Sequence, residues 1–268
     1  MELLKWTLNI IEKYGIKPRQ KYGQNYVIDE KMIDCILNAA DLSHNDIVLE
    51  IGAGIGTLTI RLSERVRKVI AVESDKKSIK SLSEVLAERN NIEIIEGDIM
   101  KMPLPKVDKI VSNLPFSIST PITFKLLSEG IFKLAVLTYQ KEVADRLIAK
   151  PGSSEYSRLS VAISLLAEVE KVRDFPPESF YPKPKVFSTI VRIRKKEIDI
   201  DWKTLDFLLK VLFSQRRKKL GNALKVLQKL SDFEIDIDRI NFKLLERRVF
   251  ELEPREFLYL STLLTRRL

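Results

Sequence analysis

Cysteine and histidine are nearly missing from this 268-residue chain, which holds one of each, Cys35 and His44. A single cysteine excludes an internal disulfide, and one cysteine with one histidine cannot build a zinc site. The lone histidine also leaves little room for a histidine-based nucleophilic triad. Long apolar runs are missing as well. No stretch reaches the roughly 20 residues that a membrane-spanning helix needs. The opening Met1-Glu2-Leu3-Leu4-Lys5-Trp6-Thr7-Leu8-Asn9-Ile10-Ile11-Glu12-Lys13 has no uninterrupted apolar core of signal-peptide length. A cytoplasmic protein is expected. Glycine is sparse, with nine in the chain, yet three of them stand at alternate positions, 52, 54 and 56.

What is present is positive charge. The formal net charge is +9 and the pI about 9.4, which suggests a polyanionic partner. The length suits about two domains. Residues 201–268 carry 15 Lys/Arg against 10 Asp/Glu, so a quarter of the chain holds more than half of the excess. Strand patterns stop there, while Leu205, Leu208, Leu209, Leu212 and Phe213 are spaced for a helix. Arg216-Arg217-Lys218-Lys219 follows. The expected division is an α/β domain over 1–200 and a small all-helical, basic domain over 201–268.

The three glycines interrupt Ile47-Val48-Leu49-Glu50-Ile51-Gly52-Ala53-Gly54-Ile55-Gly56-Thr57-Leu58-Thr59. This reads as a strand buried on both faces, a glycine turn and a helical opening. Such a turn brings backbone N–H groups and a positive helix end close to a ligand; a tight structural turn is the other reading. A dinucleotide fingerprint would need glycine at 57, where threonine stands. Gly-x-Gly-x-Gly after an acidic residue resembles instead the first motif of S-adenosylmethionine-dependent methyltransferases.

A short amphipathic helix is expected over 3–14, ended by Pro18. The segment from Arg19 to Asp29 has no clear period and reads as a linker or as a ligand contact through its amides and tyrosines. A helix over 30–40 leads into the first strand. Lys68–Glu73 is the second strand, and Glu73 at its end lies where an α/β nucleotide fold places a carboxylate on ribose hydroxyls; a solvated strand-end acid is the alternative. A helix over 76–90 precedes the third strand, Ile92–Asp98, which ends in Gly97-Asp98. Val107–Ser112 is the fourth, followed by a helix capped at Ser119 or Thr120 with Pro121 at its first position. Later strands are expected at 133–139, 168–175 and 189–195, with a helix at 157–165. Phe180–Ser188 is a proline-spaced loop.

The fourth strand runs into Asn113-Leu114-Pro115-Phe116. An amino group on an aromatic base is a poor nucleophile because its lone pair is delocalised into the ring. A site that accepts hydrogen bonds from both of its N–H groups favours a pyramidal nitrogen, and no proton need be removed first. An asparagine oxygen and a carbonyl held by a following proline can do this. Phe116 offers a face for an extruded base, worth roughly 1–3 kcal/mol against an unstacking cost of a few. As an isolated tetrapeptide the segment also suits a plain turn.

Taken together, Gly23-Gln24-Asn25-Tyr26, Glu50–Gly56, Glu73, Gly97-Asp98, Asn113–Pro121, Phe180–Ser188 and Leu245-Glu246-Arg247-Arg248 resemble the small-subunit rRNA adenine dimethyltransferase family, from about residue 19 to the C-terminus. The resemblance implies a Rossmann-like methyltransferase sheet, a helical C-terminal domain, and S-adenosylmethionine as cofactor. It implies dimethylation of two adjacent adenosines in the 3′-terminal hairpin loop of small-subunit rRNA, by a monomer acting on a 30S-type precursor particle. By the same token Gln24, Asn25, Val27, Gly52, Gly54, Glu73, Asp98, Ile99 and Asn113 hold the cofactor. Gly52 lies under its methionine part, Glu73 takes the ribose hydroxyls and Asp98 the adenine amine. Asn113 and Leu114 hold the target amine, and Phe116 and Phe180 sandwich the base; from the charge of the tail alone, Arg216, Arg217, Lys218 and Lys219 are expected to meet RNA. Phe116 departs from the tyrosine of many relatives, which keeps stacking and drops a hydroxyl contact. Leu3–Tyr14 has no place in the family pattern. The rivals are a large-subunit rRNA adenine methyltransferase of the resistance type and a non-catalytic RNA-binding factor on the same fold.

Overall fold

The apolar, β-branched runs become strands, and the amphipathic segments between them become helices. The computed structural model describes residues 2–18, 23–129, 132–230 and 233–266. In chain order the elements up to the middle of the chain are α1 (Glu2–Lys13), β1 (Tyr26–Val27), α2 (Glu30–Ala39), β2 (Ile47–Ile51), α3 (Thr57–Ser63), β3 (Lys68–Glu73), α4 (Lys76–Val85), β4 (Ile92–Glu96), β5 (Lys109–Ser112), α5 (Ser119–Glu129) and β6 (Leu134–Gln140). Then come α6 (Lys141–Leu147), α7 (Arg158–Leu166), β7 (Ala167–Phe175), β8 (Phe180–Tyr181), β9 (Ser188–Lys195), α8 (Trp202–Ser214), α9 (Leu220–Leu230), β10 (Phe233–Ile235), α10 (Phe242–Glu246), α11 (Pro254–Thr262) and β11 (Leu264–Arg266). Among the described residues no helix is long and apolar enough to cross a membrane.

The first of two units holds residues up to Ala144 together with Val169–Lys195. Its sheet has seven strands in the order β4-β3-β2-β5-β6-β9-β7. The five from β4 to β6 run parallel, and β9 is antiparallel to β6. From β2 the chain steps outward through β3 to β4, then returns to lay β5 on the other side of β2. That reversal is the topological switch point at which open α/β sheets leave a crevice beyond their strands' carboxyl ends. Ile33, Ile36 and Leu37 of α2, Leu58 and Leu62 of α3 and Leu82 of α4 pack on Val48, Val69, Ala71, Val111 and Val136 in one buried cluster. Full burial contributes about 1.5–3 kcal/mol for each of the larger side chains.

Local chemistry explains the boundaries that differ from expectation. α1 stops at Lys13, before Pro18, because Gly15 adopts φ +57° and the Ile16 N–H bonds back to the Ile11 carbonyl at 2.9 Å, a glycine C-terminal cap. Ser119 does not cap α5 from outside; a 3-10 turn over Phe116–Ile118 feeds directly into the helix, so Pro121 sits within its first turn. α4 ends at Val85, five residues short. β1 and β8 escaped notice because each is two residues long, and they pair antiparallel with Tyr26 opposite Tyr181.

The second unit is not the contiguous 201–268 segment. It takes in Asp145–Glu168 as well as the chain from Lys196. The reason lies in α7, where seven of nine residues are buried, and in the polar ties of α7 and of the turn before it. Arg158 pairs with Asp206 and the Tyr156 hydroxyl donates to the Leu252 carbonyl at 2.9 Å. Phe213 stacks on Phe257 and meets Tyr156 edge-on. Past residue 201 the described residues are helical apart from one antiparallel strand pair, β10 with β11, which the absence of a strand pattern there did not suggest.

Candidate active site

A cavity of about 360 Å³ opens at the carboxyl edge of the first unit's sheet, a volume suited to a small-molecule ligand. Gln24, Asn25, Val27, Gly52, Gly54, Glu73, Asp98, Ile99 and Asn113, all expected at a cofactor site, line it together. Four acidic side chains line it too, Glu50, Glu73, Asp75 and Asp98, and among the described residues no Lys or Arg does. Like-charge repulsion disfavours a phosphate-bearing ligand there. A cationic ligand rich in hydroxyls and amines suits that donor set.

The glycine turn works differently from the expectation. Its amide hydrogens are not bare. The Gly52 and Ala53 N–H groups donate to the Val72 carbonyl at 2.8 and 3.3 Å, and the Gly54 N–H donates to Glu73 Oε2 at 2.8 Å. What glycine supplies is closeness. Gly52 has φ +73°, and a Cβ on it would stand 2.8 Å from Pro115 Cγ. The turn therefore lets the Asn113–Phe116 segment approach β2, and it leaves space instead of an anion cradle.

Glu73 is 7% exposed and fastens this arrangement. Besides Gly54 it accepts the N–H groups of Ser74 and Asp75 at 2.7 and 2.8 Å. Three of about four acceptor positions on its carboxylate are thus used by backbone, and the remaining capacity faces the cavity. Asp98 sits at the rim with its side chain half exposed and accepts the Met100 N–H at 3.0 Å. Glu50, 3% exposed, has its Oε2 buried without a partner among the described residues. Burial, reinforced by the nearby Glu73 carboxylate, pushes its pKa up to about 8, so it is mostly protonated at neutral pH. Sequence reasoning gave Glu50 no role of its own. The available signal was an ionisable residue inside an otherwise apolar buried strand.

Asn113 follows β5 at the switch point. Its Nδ2 donates to the Asn25 carbonyl at 2.8 Å. Because a carbonyl only accepts, this contact settles which end of the amide is which. Oδ1 must face the other way, and it is buried with no partner among the described residues. A fixed acceptor without a donor, on the wall of a cavity, is what an exocyclic amine would satisfy. The Leu114 side chain is buried, so only its backbone can reach a ligand, and its carbonyl enters none of the described turn and loop hydrogen bonds.

In its described part the N-terminal segment packs against the cavity wall and lines the cavity. Arg19–Tyr22 lies outside the described residues. Gly23 has φ +69°, and a Cβ there would fall 2.5 Å from the Phe116 nitrogen. The β1–β8 pair then sets Val27 opposite Phe180. Three remote stretches of chain thus meet at one place. Tyr26, one of the tyrosines offered as a ligand contact, also lines the cavity; burial raises its hydroxyl pKa to about 12. α1 packs Trp6, Ile10, Ile11 and Tyr14 around Ile16, Tyr26 and Ile55, and Lys13 pairs with Glu84 at 3.0 Å.

The aromatic sandwich is not present. Phe180 is fully buried in the main core cluster, and Phe116 meets it edge-on, with centroids 6.3 Å apart and planes at 68°. A base between two faces would need near-parallel rings with a gap. Phe180 instead braces Phe116, which is half-buried and leaves the remaining face for a ligand.

In the second unit Arg216–Lys219 forms the turn between α8 and α9, not a helix face. Arg216 is taken up internally: its guanidinium donates to the Ser153 and Ser154 carbonyls at 3.3 and 3.0 Å and lies over the Phe250 ring. Lys219 pairs with Glu246 at 2.5 Å. Arg217 and Lys218 are exposed and enter no ion pair among the described residues. The Arg247-Arg248 motif staples this turn, since the Leu220 N–H bonds to the Arg247 carbonyl at 2.8 Å and Arg248 donates to the Arg217 carbonyl at 2.8 Å.

Comparison with known proteins gives a consistent picture. The profile of the family described as ribosomal RNA adenine dimethylase matches residues 15–256. A probable ribosomal RNA small subunit methyltransferase A from Methanosphaera stadtmanae is 43% identical over 268 aligned residues, covering 96% of this chain and 97% of its own. One of the same name from Pyrococcus abyssi is 41% identical, covering 92% of each. Among solved structures, a dimethyladenosine transferase from Plasmodium falciparum superimposes with a TM-score of 0.76 at 34% identity over 87% of this chain and 94% of its own. The 23S rRNA methyltransferase ErmE superimposes with a TM-score of 0.67 at 26% identity over 89% and 98%.

Proposed function

This chain belongs to the ribosomal RNA adenine dimethylase family, and on that premise we propose that it transfers methyl groups from S-adenosylmethionine to the N6 amines of two adjacent adenosines in the 3′-terminal hairpin loop of small-subunit rRNA. The observation that carries the reading is the buried Oδ1 of Asn113, without a partner among the described residues, on the wall of a crevice lined by acidic side chains. The small-subunit names of the relatives above 40% identity favour this over a large-subunit target.

The residues fit the cofactor. A sulfonium and an ammonium are both cations, and among the described residues the crevice is lined by four acidic side chains and no basic one. Glu73 and Asp98 would take the nucleoside's hydroxyls and amine, with Gly52 and Gly54 giving room. When bound, the cofactor supplies an electrophilic methyl group on sulfur. On the other side of the crevice Asn113 Oδ1 and the Leu114 carbonyl accept the two N–H bonds of the target amine. This pins the amine and turns its lone pair out of the ring. Phe116 holds the extruded base by its exposed face, braced from behind by Phe180. No general base is required, because the amine loses its proton only after its nitrogen has become cationic.

RNA affinity then comes from sequence-independent phosphate contacts, of which Arg217 and Lys218 are the proposed members, and the enzyme works as a monomer on a folded precursor particle. The deciding experiment maps labelled methyl groups on rRNA from small subunits that lack the modification. Label on paired dimethyladenosines near the 3′ end is expected. Label confined to the large subunit, or none, would overturn the reading.

A further inference from the structure

One aromatic side chain near the crevice has no part in the scheme above. Phe187 is 49% exposed, and the neighbouring Val186 is 43% exposed. Among the described residues Phe187 is the one large exposed aromatic of the first unit. Water-exposed phenylalanine beside a site that extrudes a base calls for an occupant, and its position indicates which one.

The carboxyl edge of the sheet presents its strands in a fixed sequence. Asp98 follows β4, Glu73 ends β3, Gly52 follows β2 and Asn113 follows β5. The next position belongs to Gln140 at the end of β6, and Ser188 of β9 is its direct partner. Phe187 precedes Ser188, so it lies on the same edge two strand spacings beyond β5 and, because Ser112 pairs with Leu137, three residues further along the strands than Asn113, about 14 Å from it in all. The cofactor side of the crevice lies in the opposite direction from Asn113. A nucleotide next to an extruded adenosine therefore finds Phe187 on its open side.

The platform is rigid and basic. The loop between β8 and β9 is anchored at one end by the β1–β8 pair and at the other by the Lys141 N–H donating to the Phe187 carbonyl at 2.9 Å. Pro182 and Pro184 restrict the backbone between them. Lys183 and Lys185 stand on the same loop; Lys185 is exposed and enters no ion pair among the described residues, and Lys183 reaches only a solvated Glu178 at 3.4 Å. Exposed aromatics with adjacent lysines on a pre-ordered loop are the elements with which single-stranded nucleic acid is held, by stacking and by phosphate contact.

We propose that Phe187, with Lys185 beside it, forms a stacking subsite for the nucleotide adjacent to the adenosine being methylated. This rests on the reading of the crevice as an RNA adenine methylation site. With two adjacent target adenosines, the subsite holds one while the other reacts, and so presents the pair in register.

The test uses the full chain and small subunits lacking the modification. Phe187→Ala, Phe187→Leu and Phe187→Trp are compared in methyl-transfer kinetics, with cofactor Kd by calorimetry as a check on folding. Ala and Leu should lower kcat/KM by about 10- to 100-fold, while Trp, which keeps a π-face, stays within about threefold of wild type. Cofactor Kd should not move. In subunits reconstituted with an abasic nucleotide beside the target adenosine, wild type should fall to the Phe187→Ala level and Phe187→Ala should fall no further. Full activity for Leu, or multiplying effects of the abasic site and the Ala variant, would overturn the stacking subsite and leave the proposed function standing. A wild-type chain that methylates no small-subunit adenosine would overturn both.

Discussion

The Asn113 side-chain nitrogen donates to the Asn25 carbonyl at 2.8 Å, across 88 positions of sequence. This single contact orients the amide, leaves Oδ1 as a buried acceptor and ties the N-terminal segment to the end of β5. Asn113→Ala removes both functions. Methyl transfer under single-turnover conditions should fall about 100- to 1,000-fold, by analogy with removing one fixed polar group at a reacting atom. Cofactor affinity by calorimetry should change much less. Wild-type transfer by Asn113→Ala would mean that the segment is only a turn.

Close packing gives a second test. Gly23→Ala drives a Cβ to within 2.5 Å of the Phe116 nitrogen, a backbone atom that has little freedom to yield. Transfer should fall by at least tenfold as Phe116 and its neighbours shift, since small misplacements near reacting groups have effects of that order or larger, up to about 100-fold. Gly152 is the control. It also has positive φ, at +85°, but nothing lies within 4 Å of an added Cβ. Gly152→Ala should lower stability by about 1–2 kcal/mol in a chemical melt and leave transfer per folded molecule unchanged.

Glu50 makes stability depend on pH. Its pKa is raised from the ordinary 4.5 to about 8 by burial and by Glu73. Between those values the unfolded chain releases a proton that the folded chain retains. Stability without cofactor should therefore fall as pH rises from about 4.5 through about 8, by up to a few kcal/mol. Glu50→Gln keeps the shape and removes the titration, so denaturant melts of this variant should lack that slope and lie above wild type at pH 8.5. A cationic cofactor favours the ionised form, so binding near neutrality should release a proton. Calorimetry in buffers of different ionisation enthalpy would detect it, and identical heats in all buffers would contradict it.

The basic turn should separate into structural and electrostatic members. Arg217→Ala with Lys218→Ala should weaken RNA binding and flatten its log–log salt dependence by roughly 0.7–0.9 for each phosphate no longer neutralised. Arg216→Ala should act on folding instead. It removes hydrogen bonds to Ser153 and Ser154 and a ring contact with Phe250, at about 1–3 kcal/mol. An unchanged salt slope for the Arg217/Lys218 pair would leave them as ordinary solvated charges.

Much of this protein was legible along the chain. Strand periodicity placed β3 to the residue and its neighbours to within a few, because buried parallel strands write themselves as β-branched runs. Local order also carried much of the cavity lining: Glu73 ends β3, Gly52 and Asn113 follow β2 and β5, and parallel strands bring their ends to one edge whatever the helices between them do. What the tertiary structure alone decided are contacts between segments far apart in sequence. The apolar pattern of α7 looked the same whichever unit it joined; Asp206, paired with Arg158, and Leu252, which accepts from Tyr156 just before the helix, are remote in sequence and assigned it. Phe180 reads as a loop residue stacked on the target base until the two-residue β1–β8 pair buries it beneath Phe116. Arg216 reads as one of four equivalent charges until the carbonyls of Ser153 and Ser154 claim it. Periodicity reports a segment's own preference for burial, and no local pattern records which distant donor, ring or carbonyl will complete it.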